Sequence, residues 1–227
     1  MGREAASQSK LSQNRAERRP ASERRAEILQ TAMKAFAQKG YRDTGTAGIA
    51  GEIGITEPTL YRYFKSKRSL YLEALELGHE EILGSWQRIA QEASSPLQAL
   101  LQLGTWYFEE LQRDSSALML RARAEVDSED PEVRERLAKH FLATLDFVRR
   151  LHQAAQEQGL LAPDLDLEAR TWLFMSLGAM VDRTHLLGVG DELRPEEIGR
   201  VFLSLAPELA ALPAPRAAER NKDGPKG

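Results

Sequence analysis

The sequence contains no cysteine, which excludes a disulfide framework, a thiolate metal site and a cysteine nucleophile. It also lacks any run approaching the ~20 apolar residues that a helix needs to cross a bilayer. Its arginine-rich start has no apolar signal core. The sequence also has no run of alternating β-branched residues, the pattern that is typical of a strand. We therefore expect a soluble, cytoplasmic protein with no membrane partner.

Sequence motifs of catalysis are also missing. There is no G-x-S-x-G, and no H-E-x-x-H although Glu80 follows His79. Gly48, Gly51 and Gly54 are evenly spaced and do not form the G-x-G-x-x-G of dinucleotide binding. The four histidines are scattered and form no metal-binding pattern. We expect no enzyme activity, no metal and no cofactor.

Charge is distributed unevenly along the 227 residues, although the net charge is only -3. Residues 1–70 carry 14 Lys and Arg against 7 Asp and Glu, whereas the remainder carries 17 against 27. With 42% apolar and 29% charged residues, the chain has an ordinary globular balance. A basic first third on an acidic body suggests a polyanionic partner, such as nucleic acid, for one end only.

Apolar residues recur at the helical period almost everywhere between the two ends, which predicts an all-α fold. We predict about nine helices, with breaks marked by Gly, Pro and capping residues, over residues 22–38, 46–53, 57–63, 67–93, 96–113, 115–126, 131–158, 166–187 and 195–210. Residues 1–21 are predicted to be a disordered basic arm and 212–227 a disordered charged tail. The change from short to long helices predicts one domain over 22–66 and a larger one over 67–211.

The informative stretch is 46–65, which predicts two short helices joined by a tight turn. Ala50 is small enough for two helices to cross closely, and Gly54 suits the left-handed conformation of the turn. We expect Ile49, Ile53, Ile55 and Leu60 to face inward. The side chains that remain exposed on the second helix and its continuation are then Glu57, Pro58, Thr59, Tyr61, Arg62, Tyr63, Lys65 and Lys67. Their hydroxyls and cations suit DNA contacts.

The chain resembles the TetR (TetR/AcrR) family of regulators, strongly over residues 24–70 and over the rest by helix layout. The residues that carry the resemblance are Arg25, Ile28, Leu29, Ala32, Phe36, Gly40, Tyr41, Thr44, Ile49, Ala50, Gly54, Ile55, Thr56, Thr59, Leu60, Tyr61, Tyr63, Phe64, Ser66, Lys67 and Leu70. It implies an N-terminal helix-turn-helix domain that binds DNA and a helical body that binds a ligand and dimerises.

The resemblance also implies site residues in the head. It places Thr56, Pro58, Thr59 and Tyr61 on the recognition helix, with Tyr61 and Tyr63 near phosphates. Lys67 matches a lysine that grips the DNA backbone, and Thr44 and Thr46 lie at another usual phosphate position. Two departures are Gly45 and Gly48, which replace a capping hydroxyl and a polar side chain. We therefore transfer no phosphate contact to position 48.

For the body, the resemblance implies a ligand cavity and a two-helix patch that pairs with a second copy. Candidate cavity residues are the large apolar side chains of the middle helices, Trp86, Trp106, Tyr107, Phe108, Met119, Phe141, Leu145, Phe174 and Met175. Candidate dimer residues are Trp172, Met180, Ile198, Val201, Phe202 and Leu205. The alternative is that these side chains are plain core. Asp182 with His185, and Arg121 with Glu125, are either polar groups of the cavity or structural pairs.

The resemblance therefore implies a homodimeric regulator, most simply a repressor that binds palindromic operator DNA and is released by a small, largely apolar molecule of unknown identity. The alternative is a DNA-binding regulator controlled by a protein partner. The same DNA-binding motif would serve both, so only the body can distinguish them.

Overall fold

The computed structural model describes residues 20–113, 116–190 and 194, and every regular element in these parts of the chain is a helix. There are eight: α1 (Ala21–Asp43), α2 (Thr46–Glu52), α3 (Glu57–Leu60), α4 (Lys67–Glu92), α5 (Pro96–Arg113), α6 (Ser116–Asp127), α7 (Pro131–Glu157) and α8 (Leu167–Leu186). The predicted all-α class is therefore confirmed. The predicted helix over 195–210, the predicted tail and residues 1–19 of the predicted arm lie outside the described residues.

Capping side chains set the starts of several helices. Those of Thr56, Ser66, Asp130 and Asp166 each accept a hydrogen bond from a backbone N–H in the first turn of the helix that follows. Each of these bonds satisfies a donor that has no partner inside its own helix. Short polar residues in the sequence therefore locate the starts of α3, α4, α7 and α8 closely.

Two helix ends in the head differ from a simple helical pattern. Gly40 has φ 76° and ψ 172°, so the regular part of α1 ends there as predicted and one more turn continues to Asp43. The prediction that the third helix extends to Tyr63 was wrong. The helix ends at Leu60, whose carbonyl accepts hydrogen bonds from the N–H groups of both Tyr63 and Phe64, at 2.9 and 3.2 Å. This tight turn redirects the chain toward α4.

The first three helices form a small core of their own. Ile28 and Phe36 from α1, Ile49 and Ala50 from α2, and Leu60 at the end of α3 are almost completely buried. The predicted inward residues Ile53 and Ile55 are half-buried and pack against this core. We call residues 20–66 the head.

The head does not end at its own core. Leu70 and Leu75 of α4 and Leu120 and Ala124 of α6 belong to the same buried cluster as Phe36. A Cβ on Gly78 of α4 would lie 3.5 Å from Cα of Ala117 on α6, so these two helices cross closely. Any displacement of α4 or α6 is therefore transmitted to the head through packed side chains.

Helices α4 to α8 form the body and enclose a second cluster of buried residues, which includes Leu103, Tyr107, Phe108, Val148 and Val181. Between α7 and α8 the buried imidazole of His152 lies with Nδ1 3.0 Å from Oγ1 of Thr171. In the parts of the chain that the structure describes, no helix is long and apolar enough to cross a membrane.

Candidate functional site

The start of α3 presents two threonine hydroxyls at the surface of the head. Oγ1 of Thr56 lies 2.9 Å from Oγ1 of Thr59 and accepts a hydrogen bond from the Thr59 N–H at 3.4 Å. The cap therefore fixes both side chains relative to the helix. Pro58 between them is exposed. The predicted reading residues thus form a compact, solvent-facing group.

A hydrogen-bonded set holds α2 against α3. The Thr46 hydroxyl donates to a carboxylate oxygen of Glu57 and lies 3.0 Å from the phenol oxygen of Tyr61. Since that hydroxyl has one proton, the phenol of Tyr61 donates to it. Tyr61 is still 42% exposed, whereas Thr46 is buried. Tyr61 is therefore accessible to a phosphate, and Thr46 serves in this form to hold α2 and α3 together.

Thr44 also has a structural role in this form. It is buried, and its hydroxyl lies 2.6 Å from the carbonyl oxygen of Gly40, to which it donates. This bond satisfies a carbonyl where the regular part of α1 ends. Contact of Thr44 or Thr46 with DNA would require their hydroxyls to be shared with phosphate oxygens, and it stays a prediction.

Cationic side chains follow α3 in the chain. Arg62 and Lys65 are exposed and Tyr63 is half-buried. Nζ of Lys67 donates to the carbonyl of Arg42 at 3.2 Å and lies 4.6 Å from the centre of the Tyr41 ring. These contacts orient the ammonium group in the absence of DNA. Arg62 and Lys65 are thus accessible to solvent, and contact of these cations with DNA stays a prediction.

In the body, a cavity of about 90 Å³ lies between α4, α5, α6, α7 and α8. Six of the predicted ligand residues line it, namely Trp86, Tyr107, Phe108, Phe141, Phe174 and Met175. Its polar wall residues are His79, Tyr107, Arg121, Glu125, His140 and Thr144. The cavity is smaller than the roughly 300–1,000 Å³ of pockets that hold drug-sized ligands. A ligand of that size must therefore displace the wall.

Three predicted ligand residues do not line this cavity. Trp106 lines a separate groove on the outside of α5, because neighbouring residues on a helix point about 100° apart and Tyr107 occupies the inward position. Leu145 is buried in packing, and Met119 is half-buried against the cores. These three side chains serve as packing residues in this form.

A charged cluster lies at one side of the cavity. The Tyr107 phenol donates to Asp182 Oδ1 at 2.6 Å, and Arg121 donates to Tyr107, to Asp182 Oδ2 at 2.7 Å and to Glu125 at 2.9 Å. Burial, with the charge of Asp182, raises the pKa of Tyr107 well above its usual value. Asp182 does not pair with His185, whose Nδ1 lies 3.1 Å from the carbonyl of Val181.

Two histidines that sequence reasoning missed also line the cavity. The rings of His79 and His140 stack with centres 4.1 Å apart. Nε2 of His140 lies 3.2 Å from Glu76, which also accepts from Arg136 at 3.1 Å. Burial and the neighbouring His140 lower the pKa of His79 to about 4, and burial also lowers the pKa of His140. Both rings are therefore neutral near pH 7.

One face of α8 exposes large apolar residues to solvent. Trp172, Met180 and Leu187 are 47%, 44% and 68% exposed and lie at helical spacing on that face. Trp172 is oriented by a hydrogen bond to Glu168 at 3.0 Å and packs near Phe141. The other predicted dimer residues, Ile198, Val201, Phe202 and Leu205, lie outside the described residues.

Comparison with known proteins gives consistent matches to one family. A family model described as bacterial regulatory proteins of the tetR family matches residues 28–74, and one described as the tetracyclin repressor-like C-terminal domain matches residues 94–194. The HTH-type transcriptional repressor KstR2 of Mycolicibacterium smegmatis is 29% identical over 192 residues, covering 82% of this chain and 89% of that protein.

Two solved structures share the fold at low sequence identity. The transcriptional regulator FadR from Bacillus subtilis, in complex with stearoyl-CoA, has a TM-score of 0.66 at 16% identity and covers 82% of this chain and 97% of its own. A regulator from Saccharomonospora viridis in complex with choline has a TM-score of 0.70 at 19% identity, with 81% and 95% covered. The resemblance read from the sequence is confirmed, and the chain belongs to the TetR family of bacterial transcriptional regulators.

Proposed function

We propose that this regulator is a repressor that binds palindromic operator DNA as a homodimer and is released when a small, largely apolar molecule enters the body cavity. One observation carries the proposal: α4 and α6 each contribute to the cavity wall and to the buried cluster shared with the head. A change in cavity size therefore moves the element that presents the DNA-binding side chains.

Recognition of DNA falls to the exposed start of α3. The hydroxyls of Thr56 and Thr59 stand at the surface, and Tyr61 is accessible beside them. Arg62, Lys65 and Lys67 add positive charge, which supplies affinity for phosphates whatever the base sequence. Base reading is therefore assigned to Thr56, Pro58 and Thr59, and phosphate contacts to the tyrosines and cations.

The dimer follows from the apolar face of α8. Large apolar side chains exposed on one helix face, such as Trp172 and Met180, are typical of an interaction surface. Homodimers use the same patch on both copies around a two-fold axis. A two-fold dimer would place two recognition helices about 34–36 Å apart in successive major grooves, which favours a palindromic operator. The two predicted domains therefore divide the work: residues 22–66 recognise DNA, and residues 67–211 bind the ligand and form the dimer.

Release follows from the size of the cavity. Its 90 Å³ is well below the roughly 300–1,000 Å³ of pockets that hold drug-sized ligands, so a molecule of that size must displace the wall. On α4, His79 and Trp86 face the cavity while Leu70 packs in the head cluster. A coupling of roughly 1–3 kcal/mol between the two sites changes operator affinity by about 5- to 150-fold.

The proposal is tested by selection of bound DNA from a random pool, repeated with candidate apolar molecules. We expect a palindromic winner whose complex dissociates with at least one apolar molecule. A monomer, or a protein without preference among duplexes near physiological salt, contradicts it. A palindromic site that no small molecule affects and a protein from the lysate releases favours control by a protein partner. The cytoplasm is the proposed compartment, since the regulator must reach the bacterial chromosome.

Variants of the head test the DNA-binding residues. Lys67→Ala should weaken binding to all duplexes and lower the salt slope by about one unit, because one phosphate contact is lost. Lys139→Ala, which removes an exposed cation from α7, is the matched control and should leave the slope unchanged. Thr59→Ala should abolish the preference for the selected site while the dimer stays intact by light scattering.

A further inference from the structure

The polar groups of the cavity wall fall into two sets according to whether their hydrogen bonds are satisfied. Arg121 is bound by Glu125 and Asp182, and the Tyr107 phenol by Asp182 and Arg121. The ring of His140 lies within hydrogen-bond distance of Glu76. These groups are paired with one another or with neighbouring side chains.

Charge balance disfavours a charged ligand of either sign. The guanidinium of Arg121 is already paired with the carboxylates of Glu125 and Asp182, so an added anion would have to replace one of them. A cation would have to take a carboxylate from Arg121, or take Glu76 from Arg136 and His140. Only the pair of Arg121 with Asp182 is largely buried among these, and taking Asp182 from Arg121 would leave a charge uncompensated inside the body, which is strongly unfavourable.

Two wall residues have hydrogen-bonding atoms without partners. Nε1 of Trp86 is buried and has no hydrogen-bond partner among the described residues. His79 stacks on His140 but forms no hydrogen bond with any residue that the structure describes. A neutral imidazole offers one donor and one acceptor, and an indole offers one donor. The buried N–H of Trp86 is costly without a partner, so an oxygen atom that reaches it gains affinity, and the half-buried ring of His79 offers a second contact.

We propose that the cavity takes an uncharged, mainly apolar molecule that carries a carbonyl or hydroxyl oxygen, held by the indole N–H of Trp86 and the imidazole of His79. The aromatic rings of Phe108, Phe141 and Phe174 line the same cavity and contact the apolar part of the molecule. This inference rests on the proposed function, because it assumes that the cavity is the site of the releasing molecule.

The test is direct binding of a matched nine-carbon series to the full-length protein, measured by calorimetry without DNA. The series comprises the methyl ketone, the secondary alcohol, the carboxylate and the primary ammonium salt. We expect the ketone and the alcohol to bind at least about tenfold more tightly than the two ions, since neither has to separate a buried ion pair. A carboxylate or an ammonium that binds as tightly as the ketone overturns the proposal, as does a series in which nothing binds.

Variants identify the two contacts. His79→Phe and Trp86→Phe keep an aromatic ring and should each weaken ketone binding roughly three- to tenfold. His79→Gln keeps a donor and an acceptor and should recover part of the loss, which a purely structural role would not predict. Trp106→Phe, outside the cavity, is the control and should change affinity less than about twofold. Circular dichroism melts verify that each variant is folded, and equal ketone affinity in His79→Phe and wild type contradicts the assignment.

Operator binding separates this inference from the proposed function. If the unliganded protein protects a palindrome but only a charged molecule releases it, the ligand class is wrong and the proposed function stands. If the ketone binds in calorimetry but the protein shows no operator preference, the proposed function fails and the chemistry of the cavity stands.

Discussion

Arg68, the second residue of α4, is bound by Asp130, the residue that caps α7. Nε and Nη2 of Arg68 lie 2.7 and 3.0 Å from the two carboxylate oxygens of Asp130. The same carboxylate accepts from the N–H groups of Glu132 and Val133 at the start of α7. The Asp130 carboxylate therefore connects the start of α7 to the start of α4, which follows the head directly.

This pair predicts a pH-dependent effect of Asp130→Asn. Hydrogen bonds from Arg68 lower the pKa of Asp130 to about 2, whereas an aspartate in the unfolded chain titrates near 3.9. A lowered pKa stabilises the folded state above about pH 4, and the contribution is lost as the pH falls toward 2. We expect the urea midpoint of the variant to lie below that of wild type at pH 7 and to converge with it in acid.

The control for the charge is Glu109→Gln, which breaks an exposed pair with Arg113 and should leave the midpoint nearly unchanged. Asp130→Ala removes the cap as well as the charge, so its midpoint should stay below that of Asp130→Asn at every pH. Variants that differ from wild type by the same amount at pH 7 and in acid would contradict this account.

Two glycines of the head predict opposite effects of the same substitution. Gly54 has φ 68°, whereas Gly48 lies within α2, and a Cβ at either position has no heavy atom within 4 Å. Backbone conformation alone therefore decides the outcome. Gly54→Ala should lower the free energy of unfolding by about 1–2 kcal/mol, and Gly48→Ala should raise it by about 0.5–1 kcal/mol. Urea unfolding at fixed protein concentration measures both, and shifts of the same sign would refute the argument.

Much of the head could be predicted because its signals are local. Thr56 and Ser66 cap the helices that follow them, Gly54 adopts the turn conformation, and Ala50 is buried between helices, all as read from neighbouring residues. The length of α3 was predicted wrongly, because the paired bonds to the Leu60 carbonyl depend on how the chain turns toward α4.

The cavity could be predicted only in part, because its polar groups come from distant helices. Tyr107 and Asp182 are 75 positions apart, and nothing near either residue in the sequence indicates that they meet. The spacing of Asp182 and His185 suggested a pair that is not formed. Periodicity also cannot decide which of two adjacent aromatics points inward, and the structure places Tyr107 on the cavity and Trp106 outside it.

The two acidic partners of Arg121 predict a matched pair of variants. Asp182 is buried and binds both Arg121 and Tyr107, whereas Glu125 is exposed and binds Arg121 alone. Asp182→Ala should lower the free energy of unfolding by about 3 kcal/mol, because it leaves a partly buried cation and a phenol without their shared acceptor. Glu125→Ala should cost less than about 1 kcal/mol. Chemical denaturation distinguishes them, and equal losses would show that Asp182 is not the principal partner.

His152 has a defined neutral form in the interface between α7 and α8. The Thr171 hydroxyl donates to the Leu167 carbonyl at 2.7 Å, so the Nδ1 of His152 carries the proton of their 3.0 Å hydrogen bond. Burial lowers the pKa of His152 to about 4, and the positive charge of Arg170 acts in the same direction. Protonation of this ring is therefore disfavoured in the folded protein.

Because of the buried histidines, we expect the free energy of unfolding to fall in acid at a higher pH than the range in which Asp130 titrates. An unfolded histidine titrates near pH 6.5, so the unfolded chain binds protons first and the free energy of unfolding falls as the pH drops from about 6.5 to 4. His152→Leu should flatten this dependence, because one of the titrating rings is removed. Gln153→Ala, an exposed neighbour on α7, should leave the pH slope unchanged. Urea titrations at half-unit pH intervals measure the slope, and an identical slope in His152→Leu and wild type would show that His152 does not titrate with folding.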